Sequence, residues 1–161
     1  MGSGRLKNDH SYGGSKGSPC VFCEQPTISK PLRSTKDILA CLEFFRDKKQ
    51  EFLICLSVDG DGRLILRRIV TIGLLDQSLV GVREVFAGPL TDRAKAIVVA
   101  HNHPSGIAEP SKEDIKTTNQ LVAAGILLGI PVRDHVIVTR DSCFSFRERG
   151  LIDGISTANR V

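Results

Sequence analysis

AKAIVVAHNHPSGIAEPSKEDIKTTNQLVAAGILLGIPVRDHVIVT, residues 94–139, is the stretch whose reading decides the fold. Its first seven residues, 94–100, are a short apolar run rich in β-branched side chains, the pattern of a fully buried strand. A polar, proline-containing loop, HNHPSGIAEP, occupies 101–110. Ser111 then opens the longest helix, which runs to about Leu128, and its Ser-x-x-Asp start is a capping pattern. Gly129 ends that helix and Pro131 follows, a normal stop signal. VRDHVIVT at 132–139 returns to strand character.

The flanks extend this pattern. Ser34 or Thr35 can cap a helix, with Asp37 favouring its N-terminal end. Ile38, Leu39, Cys41, Leu42 and Phe45 recur at helical spacing, and the helix is expected to end near Lys48-Lys49. EFLICLSV at 51–58 reads as a buried strand, Asp59-Gly60-Asp61-Gly62 as a hairpin turn, and about 63–72 as a second strand. GVREVFA at 81–87 suggests a short helix stopped by Gly88-Pro89. Asp141-Ser142 turns into a short strand at 143–146. Strands and helices mix without strict alternation. The expected class is therefore α/β, a single domain with a mixed β-sheet flanked by helices.

Residues 1–33 differ from the rest. They are rich in Gly, Ser, Lys and Pro, carry no sustained period, and are expected to be a flexible basic tail, mostly disordered; the domain is set at 34–161. The tail holds five Lys/Arg against Asp9 and Glu24, a net +3 of the chain's +4. The body is thus nearly neutral, with one Tyr and no Trp, which argues against an extended nucleic-acid surface. No apolar run is long enough to cross a bilayer, and the N-terminus lacks the apolar core of a secretory signal, so no membrane association and a cytoplasmic location are expected. The five cysteines are an odd number, and Cys41 and Cys55 sit in apolar patterns as buried thiols rather than disulfide partners. Cys20 and Cys23 form a lone CxxC with only His10 nearby, too few ligands for a structural zinc site.

The chemistry is expected at the start of the polar loop. His101 and His103 are two apart at the end of a buried strand, where side chains i and i+2 face the same way about 6–7 Å apart. Asp114 lies on the first turn of the following helix, and the ten-residue link 104–113 lets that turn fold back over the strand end. Two His and one carboxylate, with a fourth position left for water, match a catalytic zinc site. The bland alternative is that Ser111 and Asp114 only cap the helix and the His pair is coincidental. Pro104-Ser105-Gly106 and Pro110 tilt the balance, because they describe a shaped loop between strand and helix.

HNHPSGIAEPSKED resembles the JAMM signature: His-x-His-Pro, seven residues between the second His and a Ser, then Ser-x-x-Asp. From about 34 to 152 the chain is similar to the RadC-like JAB domain, also through EFLICLSVD, VREVF, Asp134-His135 and SFRERGLI. The resemblance implies a JAB/MPN (cytidine-deaminase-like) fold and a Zn2+-dependent metalloprotease or isopeptidase-like hydrolase acting on a protein or peptide substrate. It also implies an N-terminal helix-hairpin-helix region, for which residues 1–33 are too short and too polar.

By the same resemblance, His101, His103 and Asp114 are the metal ligands and Ser111 donates to the developing oxyanion. Glu51, fifty residues before His101 on the strand after the first helix, is the expected general base. Glu84 is the rival base, with an exposed helical charge as its plain reading. His135 reads first as a hydrogen-bonded core histidine, and alternatively as a group that orients a metal ligand. Asn102 faces away from the His pair, so its role is structural at most. Two other functions stay open. One is a DNA-repair-associated or mobile-element accessory module binding DNA or protein. The other is an inactive scaffold of the same fold.

Overall fold

The computed structural model describes residues 23–24, 30–73 and 81–152. The remainder of the tail, with Cys20 and His10, and the C-terminal 153–161 lie outside the described residues. Among the described residues six strands make one sheet in the order β1-β3-β2-β4-β5-β6. They are β1 (Cys23–Glu24), β2 (Phe52–Val58), β3 (Leu64–Ile72), β4 (Ala96–Asn102), β5 (Val132–Val138) and β6 (Cys143–Ser145). Only β4 and β5 run parallel; every other pair is antiparallel, so the expected mixed sheet is observed. The helices are α1 (Thr35–Leu42), α2 (Val82–Thr91) and α3 (Lys112–Leu128).

Alternation along the strands sorts side chains into two cores. Ile54, Leu56 and Val58 of β2 join Ala96, Val98 and Ala100 of β4 against Ile38, Cys41 and Leu42 of α1. Leu53, Cys55, Ile97 and Val99 point the other way, to Val85 and Phe86 of α2 and Leu121 of α3. The sheet is therefore a middle layer between α1 and the α2/α3 pair. By the same alternation His101 falls on the α3 face and Asn102 on the α1 face.

Within the segment expected to be mostly disordered, Cys23 and Glu24 pair with Arg68 and Arg67 of β3, and Pro31 bridges to Arg63. Leu32 is buried in the α1-side core, so the domain reaches back past 34. The first helix stops at Leu42 and gives way to a 3-10 turn, Glu43–Phe45, instead of continuing to Lys48. Finally, α2 runs through Gly88-Pro89 to Thr91. Proline costs most in a helix interior. Here it lies in the last turn, where burial of Pro89 offsets the lost hydrogen bond. Gly88 is small for a packing reason: a Cβ there would stand 2.7 Å from the Arg68 side chain.

Candidate metal centre

β4 ends at Asn102, and His103 continues its path through a hydrogen bond from its N–H to the Val138 carbonyl (2.9 Å). The chain then reverses. Gly106 donates to the His103 carbonyl, and its φ of +83° is a left-handed value that glycine adopts without strain. This tight turn carries the Ile107 carbonyl under His103, 2.7 Å from Nδ1. A carbonyl only accepts, so Nδ1 bears the proton and the Nε2 of neutral His103 is bare.

The start of α3 supplies the carboxylate. Ser111 and Asp114 form a reciprocal capping box. Both the Ser111 N–H and its hydroxyl donate to Asp114 Oδ2, each at 2.7 Å. Oδ1 is left facing His101 Nε2 at 3.3 Å, while His103 Nε2 lies 3.6 Å from Oδ2. The two Nε2 atoms are 2.8 Å apart. One ligand atom from each of His101, His103 and Asp114 fits within a 4.8 Å span.

Two imidazole nitrogens and a carboxylate oxygen this close repel one another unless positive charge sits among them. The proton affinities reflect that. A hydrogen bond with Asp114 raises the His103 pKa, against burial and with help from the Ile107 carbonyl. Burial pushes the Asp114 carboxyl up, but hydrogen bonds with His101, His103 and Ser111 outweigh it and hold the group far below the usual range. A cation placed among these atoms would relieve their repulsion. This nitrogen and oxygen donor set suits a divalent metal ion. Cys41 and Cys55 stand outside this cluster, and burial pushes their thiols up to about 11 and about 12.

Glu51 lies immediately before β2. The β2–β4 register ends with Leu53 paired to His101, and Glu51 lies two residues before Leu53, the spacing that returns to the same face of an extended chain. It is half-buried, and its charge contributes to the raised His103 pKa after Asp114 and Ile107. Asn102 fixes this edge from behind. Its Oδ1 accepts from the Phe52 N–H (2.8 Å) and its Nδ2 donates to the Gln50 carbonyl (2.9 Å) and, more weakly, that of Lys48 (3.3 Å). Glu84, by contrast, is exposed on the first turn of α2. Its pKa is lowered by its own backbone N–H and then by Arg83, and none of its described contacts reaches the cluster.

His135 is fully buried on β5, with Nε2 2.8 Å from His101 Nδ1. Burial, then the neighbouring His101, pulls its pKa well below the ordinary histidine value. Its Nδ1 contacts Thr118 Oγ1 at 2.6 Å, and its ring stacks on Phe146. Thr118 is the residue that reading the sequence missed. The available signal was its position four after Asp114, which places both on one face of α3.

Fold and cluster together define a class: an α/β domain in which the end of a central strand and a helix N-terminus converge two histidines and an aspartate suited to a metal ion. The chain belongs to the RadC-like JAB domain family, whose model matches residues 32–151. It is similar to proteins named UPF0758 in archaea and bacteria. The Methanospirillum hungatei relative is 49% identical over 105 residues, 65% of this chain and 47% of that protein. The Geotalea uraniireducens relative is 44% identical over 108 residues, 67% and 47% of the two. The Methanosarcina acetivorans relative is 36% identical over 133 residues, 82% and 57%. The chain spans about half the length of these curated relatives.

Proposed function

We propose that this domain is a zinc-dependent hydrolase of JAMM type, cleaving a peptide or isopeptide bond in a protein or peptide substrate. The observation that carries the reading is the convergence of His101, His103 and Asp114, whose ligand atoms lie within 4.8 Å of one another, and the place of Glu51 two residues before the strand partner of His101 supports it. When bound there, zinc supplies Lewis acidity, lowering the pKa of a coordinated water to about 7 and polarising the carbonyl to be attacked.

The chain's own residues then divide the work. His101, His103 and Asp114 hold the ion. Glu51 accepts the proton of the attacking water and delivers it to the leaving amine nitrogen as the C–N bond breaks. Ser111 orients Asp114, and donating to an oxyanion requires its hydroxyl to turn away from Oδ2. We place the protein in the cytoplasm, where the free buried thiols Cys41 and Cys55 would stay reduced. Among the described residues no helix is long and apolar enough to cross a membrane.

Glu51→Gln tests the base. The variant should keep zinc while losing about 10²–10⁴-fold of the wild-type hydrolysis rate on an amide substrate. Full activity in the zinc-loaded variant would remove Glu51 from the mechanism.

A further inference from the structure

A chain of buried hydrogen bonds runs from the third candidate ligand back to the first. Thr118 Oγ1 lies 2.6 Å from the Asp114 backbone carbonyl, one turn earlier in α3. It also lies 2.6 Å from His135 Nδ1, and His135 Nε2 lies 2.8 Å from His101 Nδ1. Thr118 is 1% exposed, His135 2% and His101 0%, so bulk water offers none of them another partner.

The direction of the chain follows from counting protons. The Asp114 carbonyl only accepts, so the single Thr118 hydroxyl proton goes to it. Thr118 Oγ1 must then accept from His135 Nδ1–H. His135 is 2% exposed and no carboxylate is among its described hydrogen-bond partners, so the surroundings satisfy one ring proton, already placed on Nδ1; its Nε2 is bare and accepts from His101 Nδ1–H. With that proton on Nδ1, the neutral His101 ring presents a bare Nε2 to the cluster. Running the chain backwards gives up the bond to Asp114 and puts a proton on His101 Nε2, which blocks it as a ligand. Phe146, stacked 12° from parallel at 4.8 Å, keeps the His135 ring in the plane the relay needs.

We propose that Thr118 and His135 are positioning residues for the metal, a fixed relay that locks His101 in the tautomer able to ligate and ties it to the backbone of Asp114. The proposal rests on the metal-centre reading above. It extends that reading to two residues outside the ligand set, and it gives His135 a task beyond filling the core. Partners that orient a ligating histidine typically matter 10–100-fold in metal affinity.

The test is zinc affinity of the whole chain, by competition with a chromogenic chelator, for wild type, Thr118→Val and Thr118→Ser. Valine keeps the shape and removes the hydroxyl; serine keeps the hydroxyl. The expected result is a loss of about 10–100-fold in Thr118→Val, with Thr118→Ser close to wild type. Tight zinc binding by wild type and Thr118→Val alike would overturn the relay and leave the metal centre standing. Absence of zinc binding by the wild type would overturn the metal-centre reading and the relay with it. Imidazole ¹⁵N spectra of the zinc-loaded wild type decide the matter without any variant. His135 protonated at Nδ1 is expected, and protonation at Nε2 would overturn the relay.

Discussion

Asn102 stands between the two histidines in sequence and on the opposite face of the sheet in space. Its side chain replaces backbone partners at the start of β2, satisfying the Phe52 N–H and the Gln50 and Lys48 carbonyls. Asn102→Ala leaves that N–H and those carbonyls unpaired, so a loss of about 1–3 kcal/mol in urea unfolding is expected. A loss under about 0.5 kcal/mol, the range of an ordinary surface change, would show that the clip is dispensable. Much at this scale was readable beforehand. His101 and His103 share a face because the strand period is two, and Asp114 was marked by its place three after the capping Ser111. The relay was not readable. His135 meets His101 only because the parallel register sets Val99 against His135 and His101 against Ile137, and nothing in the chain between two residues 34 apart in sequence specifies that register.

At the scale of elements, α3 positions the site. Its N-terminal turn presents Asp114, and its C-terminal half must lie close against the chain that returns into β5. Gly125 permits that approach: a Cβ there would stand 2.7 Å from the Ile130 carbonyl oxygen and 3.3 Å from Pro131 Cα. Helix propensity alone predicts that Gly125→Ala stabilises by about 1 kcal/mol. The backbone clash predicts the opposite sign, a destabilisation of about 1–3 kcal/mol. The shift in thermal midpoint separates the two, and a rise would refute the close-packing account. The strong apolar periods of β2, β4, β5 and α3 made these elements legible. The end of α2 was misjudged because local stop signals carry no information about burial, and Pro89 is buried. β1 escaped notice because two residues, Cys23–Glu24, are too few to show a period.

Across the whole molecule, the candidate centre joins parts that are distant in sequence. β4 and the turn after it bring His101 and His103, and α3 brings Asp114. A metal bound there links those parts in the folded state only. Its binding free energy therefore adds to stability, by about 2.7 kcal/mol when free zinc stands at a hundred times its dissociation constant. The composition pointed to this kind of body: nearly neutral, with most of the excess positive charge before residue 34. That neutrality suits a site whose charge comes from its own ion more than a surface built for polyanions.

The central claim is that His101, His103 and Asp114 hold a metal. The most direct measurement is zinc content by elemental analysis, on the wild type and His103→Ala side by side, after gentle purification and zinc supplementation. About one zinc per wild-type chain is expected, lost in the variant and removed by a chelator with a fall in thermal midpoint. A wild type that stays metal-free, or a His103→Ala variant that keeps its full zinc, would contradict the account.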